Sequence, residues 1–408
     1  MTKAKIIDAA FKVWGREFYL NTSLSHVARE LKVCKPALYR HFRNKDDLID
    51  GMIRHFFDDF DAFVLPEYEK ALATGDSTGK IFMLIRAFAE YHARNVLFFI
   101  FSMVKLHNRK LDNFDMENEL RIRGIDISRF HDFVKNEYVF EPLAMRLINA
   151  TLTFCMAEFH RKNRTVINPP SEAAIAQIIG ETAKIMERGF GYGREEIDAL
   201  DYEGLEGRIA GTVNNIEDDP LLKAVAGAVA EAGPWEASMK QVARRSGLSK
   251  SSLYGHYKNK QDMLYQLFKT EYVRINDFAR QGIRQSAVSE EQLYLGIFSI
   301  VEYLRSKPDI LVALDWIRNR NLNLKEGKRP SHKLEFLPLF EDIDIKLLRE
   351  MPQGAPEGGE LWVSPWILFL IINTLMQTNS GQIAGDVPND DIRFLYRFLT
   401  LGIGGFKI

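Results

Sequence analysis

Apolar residues recur at helical spacing along most of the chain. Near the start, the helical face over residues 1–20 consists of Ile6, Ile7, Ala10, Phe11, Val13 and Trp14. The same period predicts longer helices over Ile81–Lys105, Leu143–Arg161, Ile175–Arg188, Leu293–Arg305, Ile310–Asn321, Trp362–Met376 and Asp390–Leu401. No segment alternates apolar and polar residues for long enough to predict a sheet. The pattern therefore predicts an all-α protein.

One part of this pattern occurs twice. Lys35–Lys45 returns as Lys250–Lys260, 215 positions later, and the gap-free match extends over Ser23–Phe63 and Ser238–Phe278. Twelve of the 41 aligned pairs are identical. Identity at a fixed offset indicates an internal duplication, and weaker matches further on extend it to both whole halves.

Each copy of the repeat predicts a helix-turn-helix unit. In the first copy a short helix opens at Ser23, and after a tight turn a second short helix carries Pro36 in its first turn. Asn44 then caps a longer helix. In the second copy Ser238 begins a capping box, and Gly247 suits the left-handed corner that a tight turn requires. Helices arranged in this order are typical of a small DNA-binding bundle.

Basic residues gather in both copies, although the whole chain carries a net charge of −1. Six Lys or Arg residues lie within 29–45, and six within 240–260, where no acid occurs. Such local clusters on a nearly neutral protein indicate a defined polyanion-binding face. Two cysteines, Cys34 and Cys155, cannot supply a disulfide framework, and no zinc spacing, nucleophile elbow or P-loop occurs. We therefore expect no enzyme activity, no cofactor and no metal.

The second short helix of each copy has the residue types that DNA binding requires. A helix-turn-helix inserts this helix into the major groove, where basic and hydroxyl groups hold phosphates and short side chains contact bases. Because Leu38 and Leu253 face inward, Tyr39 and Tyr254 are expected to face outward. A lone Tyr or His on a helix is more often structural. Here both recur with their basic neighbours, which favours a role at DNA.

The pattern Val-Ala, then Lys-x-x-Leu-Tyr-x-His-(Phe/Tyr)-(Arg/Lys)-Asn-Lys, resembles the DNA-binding signature of the TetR family of bacterial transcriptional regulators. Beyond this signature, each half is similar to the family only in length and helicity. The resemblance implies two tandem helix-turn-helix DNA-binding domains, each followed by a helical ligand-binding and dimerisation domain. The partner would be double-stranded DNA, and the activity ligand-responsive repression. The residues expected at DNA are Ser23, Lys35, Pro36, Ala37, Tyr39, Arg40, His41, Lys45, Ser238, Lys250, Ser251, Ser252, Tyr254, His256 and Lys260, with the two serines 23 and 238 at the phosphate backbone.

These elements predict five segments in one chain. The expected bounds are 1–60 and 220–275 for the DNA-binding domains, 61–193 and 276–408 for the helical effector and dimerisation domains, and 194–219 for an acidic linker. The linker carries nine acids against Arg194 and Arg208, and we expect it to be partly helical with a solvated face. Repulsion from DNA is a second use for that acidity. The family usually forms homodimers on palindromic operators, so this chain resembles a fused pseudo-dimer whose halves pair within one polypeptide; further oligomerisation stays open.

The two copies differ at the positions expected to contact bases. Pro36, Ala37 and Arg40 in the first copy correspond to Ser251, Ser252 and Gly255 in the second. These differences predict an operator with two non-identical half-sites. Copy one also departs from the family in two ways, because Cys34 replaces the usual Ser or Thr of the turn and Glu17-Phe18-Tyr19 stands where a Gly is usual.

Aromatic residues of the helical domains are the candidates for an effector pocket, for which an apolar or flat ligand is expected. They are Phe98, Phe99, Phe101, Met103, Phe154, Tyr303, Trp316, Trp362, Trp366 and Phe369. Aromatic stripes are more often plain core, so both interpretations stay open. The alternative function is a helical ligand-sensing or protein-interaction protein whose DNA contacts have decayed.

One stretch, Leu361–Met376, is apolar enough to consider as a membrane span. It contains Ser364, Pro365 and Asn373, which favour a buried interface helix instead. The N-terminus has no signal-peptide apolar block, so we expect a cytoplasmic protein with no membrane partner.

Overall fold

Helices form the secondary structure of the described residues, as the 3.6-residue period predicts. The computed structural model describes residues 2–16, 23–103, 116–139, 142–163, 168–210, 212, 219–321, 340, 343, 363–376 and 386–408. The helices of the first half and the linker are α1 (Lys3–Arg16), α2 (Leu24–Glu30), α3 (Lys35–Tyr39), α4 (Lys45–Ala73), α5 (Ser77–Arg94), α6 (Val96–Phe101), α7 (Met116–Ile122), α8 (Ile127–Val134), α9 (Pro142–Asn163), α10 (Glu172–Arg188), α11 (Arg194–Asp198) and α12 (Tyr202–Ala210). Those of the second half are α13 (Pro220–Glu236), α14 (Met239–Ser246), α15 (Lys250–His256), α16 (Lys260–Ile283), α17 (Ser289–Ser306), α18 (Pro308–Asn321), α19 (Val363–Leu375) and α20 (Asn389–Leu401), followed by a 3₁₀ turn at Gly402–Phe406. The all-α prediction is confirmed.

The predicted helix over Ile81–Lys105 is wrong in one respect, because the chain breaks at Asn95 into α5 and α6. Asn95 has φ −121° and ψ 68°, and its side-chain amide donates to the Tyr91 carbonyl at 3.0 Å. A short amide side chain that satisfies a nearby carbonyl gives the backbone an alternative to the next helical turn. The break lets α6 turn back onto α1.

Each helix-turn-helix unit is attached to its helical domain through its first helix. In the first half, the ring of Phe11 on α1 packs edge-on against Phe98 at 4.8 Å and Phe101 at 5.1 Å between centroids. In the second half, α13 lies along α18, and a Cβ built on Gly233 would lie 3.3 Å from the Trp316 ring. The first helix of each helix-turn-helix unit therefore shares a core with the helical domain that follows in the same half.

The two halves meet along α9 and α10 of the first half and α19 and α20 of the second. Trp366 donates its indole N–H to the Thr151 hydroxyl at 3.2 Å, with both residues fully buried. The Trp366 ring also packs on Phe190, 5.5 Å between centroids. Halves that bury such side chains against each other form a continuous core within one chain.

Main-chain hydrogen bonds also join the two halves at the glycine loops 189–194 and 402–407, which together we name the seam. Phe190 N–H donates to the Leu399 carbonyl at 2.7 Å, so the first loop pairs directly with the end of α20. Gly189 and Gly402 have φ +53° and +61°. Both loops end their helices as predicted, and each glycine lies where the backbone of the other half leaves no room for a Cβ.

The segment between the halves packs on the second half through α11 and α12. Glu206 of α12 is 7% exposed and accepts hydrogen bonds from Tyr294, Asn389 and Arg393. Asp198 of α11 forms an ion pair with Arg397. The expectation that the linker acids form a solvated face is therefore wrong for Glu206, because its carboxylate is held by partners on α17 and α20.

The apolar stretch near Leu361 forms the buried helix α19. Trp366, Ile367, Leu370 and Ile371 are each 0% exposed, and α19 packs on α9, α17, α18 and α20. Among the described residues, no helix combines the length and hydropathy that crossing a membrane requires.

Candidate nucleic-acid interface

The second short helices, α3 and α15, which we name the reading helices, have an apolar side and an exposed side. Leu38 and Leu253 are 0% exposed, whereas the next residues, Tyr39 and Tyr254, are 47% and 48% exposed. The outward position predicted for both tyrosines is confirmed.

Each exposed tyrosine lies beside a lysine of the same helix. The Lys35 ammonium is 5.9 Å from the Tyr39 ring centroid, and the Lys250 ammonium is 6.0 Å from that of Tyr254. The shared geometry places a cation and a phenol hydroxyl on one outward face in both copies. This pair can contact a phosphate and an adjacent sugar or base edge.

The other predicted DNA residues lie around the same faces. Pro36, Arg40, Ser251, Ser252 and His256 are exposed. Half-buried positions are occupied by Ala37, His41, Lys45 and Lys260. Burial lowers the pKa of Lys45, and the nearby Asp46 carboxylate acts in the opposite direction.

The turns that lead into the reading helices differ between the copies. Ser249 accepts a hydrogen bond from the Ser252 amide at 3.0 Å, whereas Cys34 at the corresponding position makes no cap hydrogen bond. The preceding corner is left-handed in both, with φ +70° at Gly247 and +54° at Lys32. A left-handed conformation at a non-glycine residue costs about 1 kcal/mol. The first reading helix therefore lacks the side-chain cap that the second one has, as the loss of the usual hydroxyl predicts.

The longer helices α4 and α16 begin with the asparagine caps that the sequence predicts. Asn44 accepts from the Asp47 amide at 2.8 Å, and Asn259 accepts from the Asp262 amide at 2.9 Å. Those two amides are therefore already satisfied, so neither is available to a phosphate. Asp47 also accepts from the Arg43 amide at 2.8 Å, and this hydrogen bond lowers the pKa of its carboxyl group.

The serines expected at the phosphate backbone begin α2 and α14. Ser23 is exposed, and its amide donates to His26 Nδ1 at 3.3 Å. Ser238 and Gln241 form the predicted capping box, with the Ser238 amide donating to Gln241 Oε1 at 2.7 Å. We name α2 and α14 the bracing helices.

The bracing helix of the second copy carries basic residues that sequence reasoning did not select as site residues. Lys240, Arg244 and Arg245 are all exposed on α14. Arg245 is paired with Glu231 of α13 at 2.8 Å. The local excess of basic residues is visible in the sequence, but only the structure shows that Arg245 is paired with an acid of α13.

The aromatic candidates for an effector pocket lie in separate places. Phe98 and Phe101 form the core that joins α1 to the first helical domain, and Phe99 packs 5.2 Å from the buried His160 ring. Burial lowers the pKa of His160 to about 4.

Four further candidates lie on or beside α9 and α19. Phe154 of α9 packs 5.6 Å from Phe369 of α19, and Trp366 lies in the same interface. Met103 lies beside α9, where its sulfur is 3.5 Å from the Thr153 hydroxyl. Phe154, Phe369 and Trp366 support the pairing of the halves in addition to any ligand role.

The remaining candidates belong to the second half. Tyr303 donates to the buried Glu271 at 2.6 Å, and Trp316 packs on Gly233. Trp362 lies outside the described residues. A ligand pocket at these positions stays a prediction.

Comparison with known proteins agrees with this geometry. The sequence profile of the family described as "Bacterial regulatory proteins, tetR family" matches residues 6–52 and 221–267, which contain both helix-turn-helix units. The chain is 24% identical over 162 residues to the "Fatty acid metabolism regulator protein" of Bacillus subtilis (strain 168), covering 36% of this chain and 82% of that protein. It is 34% identical over 53 residues to the "Uncharacterized HTH-type transcriptional regulator YuxN" of the same organism, covering 13% of this chain and 18% of that protein.

Proposed function

This chain belongs to the TetR family and carries two tandem copies of the family's DNA-binding domain. We propose that it is a single-chain repressor that acts on one operator. Each half supplies one reading helix, and the halves pair through the seam and α9, α10, α19 and α20. The domain bounds that we propose are those expected from the sequence. The observation that carries the proposal is the matched outward pair of tyrosine and lysine on both reading helices.

Fusion changes the energetics of operator binding. Two reading helices of a dimeric helix-turn-helix protein contact half-sites about 34 Å apart, one turn of DNA. When both belong to one chain, the second contact is intramolecular, at an effective concentration on the order of millimolar. The protein would therefore bind a two-half-site operator without a monomer–dimer equilibrium.

The operator that we propose is not palindromic. Arg40 is exposed at the end of the first reading helix, and an arginine there can reach a guanine or a phosphate. Gly255 occupies the corresponding position in the second copy and has no side chain. Selection from a random duplex library is expected to return two different half-sites, and a perfect palindrome would contradict the proposal.

An apolar or flat effector is the proposed signal. The helical domains share cores with α1 and α13, so a ligand that shifts those cores would also move the DNA-binding units. One relative is named for regulating fatty acid metabolism, which supports an apolar ligand. Palmitate is the first probe: it is expected to weaken operator binding, and unchanged binding at saturating palmitate would exclude long-chain fatty acids.

A mobility-shift titration on DNA upstream of the protein's own gene tests DNA binding itself. Tyr39→Ala and Tyr254→Ala are each expected to weaken binding, because the exposed rings have no role in the core. The logarithm of the binding constant should fall with the logarithm of salt concentration by about 0.9 per neutralised phosphate. A slope near zero, or binding unchanged in both variants, would favour the alternative of a ligand-sensing protein with decayed DNA contacts.

A further inference from the structure

The two DNA-binding units differ in where they place the cations that they do not share. Both copies have exposed cations on the bracing helix (Arg29 and Arg244), on the reading helix (Lys35 and Lys250) and just beyond it (Arg43 and Lys258). The first copy adds Lys32 in the turn and Arg40 at the end of the reading helix. The second copy instead adds Lys240 and Arg245 on the bracing helix, where the first copy has Ser25 and Glu30. The number of cations is similar, but their places relative to DNA are not.

The bracing helix of the second copy is suited to phosphates. Lys240 and Arg244 are four positions apart, so they lie on one face of α14. The opposite face is buried through Met239, Val242 and Ala243. Bracing helices cross the DNA backbone in helix-turn-helix proteins, and contacts to phosphate add affinity that does not depend on sequence.

Apart from the Lys250 and Tyr254 pair, which has a counterpart in the first copy, the reading helix of the second copy has few groups that discriminate bases. Ser251 and Ser252 are exposed and offer single hydroxyl groups, which pair with any base. Gly255 has no side chain that could contact a base. In the first copy, Arg40 is exposed at the corresponding position and can make the bidentate contact to guanine that gives the strongest base preference.

We propose that the first copy selects the DNA sequence and that the second copy is a sequence-tolerant anchor on the phosphate backbone. This division of roles rests on the proposed function, since it presupposes operator binding by both copies. The first half-site would be strongly specified, and the second would be recognised mainly through its backbone.

Residue 255 allows a gain-of-function test. A Cβ built on Gly255 meets no atom within 4 Å, and its φ is not positive, so a larger side chain is accommodated without strain. Gly255→Arg installs in the second copy the residue that the first copy carries. Arg40→Gly makes the reverse change, and Arg40→Lys keeps the charge while it removes the bidentate fork.

The experiment is selection from a random duplex library, followed by sequencing, with the full chain and each variant. Wild type is expected to return one half-site with strong base preferences and one with weak preferences. Arg40→Gly and Arg40→Lys should both lower discrimination at one base pair of the strong half-site, by roughly 5- to 150-fold. Gly255→Arg should create a preference of that order in the weak half-site.

Salt titrations supply the second arm. The double variant Lys240→Ala and Arg244→Ala should weaken binding to selected and random duplexes by the same factor, and should lower the salt slope by about 0.9 for each lost phosphate contact. Arg29→Ala is the matched single change in the first copy, because Arg29 occupies the position that corresponds to Arg244.

Two outcomes would overturn the division of roles: equally specified half-sites in the wild-type selection, or a loss of base preference in the Lys240 and Arg244 double variant. Failure of the proposed function has a different signature. In that case the wild-type chain would enrich no sequence and would not bind duplex DNA even at low salt.

Discussion

Replacing Gly189 with alanine should weaken the pairing of the two halves more than any change of similar size elsewhere on α10. Gly189 ends α10 with φ +53° and ψ −130°, a conformation open essentially only to glycine. A Cβ at this position would lie 2.4 Å from the Leu399 carbonyl oxygen and 2.6 Å from the Gly402 nitrogen. Both contacts are with the backbone of the other half, which cannot rotate away.

The magnitude follows from two costs. Holding a residue other than glycine in this region costs about 1–3 kcal/mol. Relieving the overlap requires the two loops to separate, and overpacking of this kind typically adds about 1–3 kcal/mol. Separation would also lengthen the 2.7 Å hydrogen bond from Phe190 N–H to the Leu399 carbonyl. We expect a loss of roughly 3 kcal/mol in the free energy of unfolding.

Urea unfolding followed by circular dichroism measures this loss, and Gly180→Ala on the same helix is the matched control. Gly180 is exposed, and a Cβ there would meet no atom within 4 Å. Alanine should therefore stabilise the helix by about 0.5–1 kcal/mol, the opposite sign. A Gly189→Ala protein as stable as wild type, or shifted like the Gly180→Ala protein, would refute the close backbone approach.

Three further changes test other parts of the fold. Burial holds the pKa of His160 at about 4, below its ordinary 6.5, so the unfolded chain takes up the proton first as the pH falls and the full stability is present only above pH 6.5. In urea unfolding, wild type should lose about 2 kcal/mol more than His160→Gln between pH 7.5 and pH 5. Parallel pH profiles of the two proteins would contradict the buried neutral ring. Burial alone would raise the pKa of Glu206, but hydrogen bonds from Arg393, Tyr294 and Asn389 lower it overall, so its contribution is present above pH 4.5 and is lost as pH falls below that value. Glu206→Gln should lower the free energy of unfolding by about 2 kcal/mol at pH 7, which is less than the loss of a fully buried ion pair because Arg393 is a quarter exposed. An unchanged melting curve would mean that Glu206 does not hold the linker on the second half. Cys34→Ser should supply the missing cap of the first reading helix and stabilise the protein by about 0.5–1 kcal/mol. A variant with the stability of wild type and no tighter DNA binding would show that the missing cap does not limit DNA binding by the first copy.

Local features of the DNA-binding units could be predicted because their causes lie within a few residues. The capping box at Ser238, the left-handed Gly247 and the outward Tyr39 each follow from neighbouring side chains and helical period. The left-handed Lys32 was not predicted, because a lysine gives no sign of positive φ. Only its correspondence to Gly247, in the same turn of the second copy, indicates that conformation.

Features that depend on distant residues were less accessible. The nine acids of the linker indicate solvent, yet Glu206 is buried because Arg393 lies 187 positions further along the chain and meets it at 2.8 Å. Nothing near Gly189 in sequence shows that its neighbour is Gly402. The aromatic candidates illustrate the same point, since helical spacing cannot tell residues such as Phe98, which joins two domains, from residues that line a cavity.

The stoichiometry of the DNA complex tests most directly whether one chain supplies both reading helices. Native mass spectrometry with a duplex recovered from the random library measures it, because one chain weighs 47.0 kDa. The fused pseudo-dimer predicts a single chain per duplex that protects both half-sites from nuclease. Two chains per duplex, with each half-site released when the other is scrambled, would contradict it.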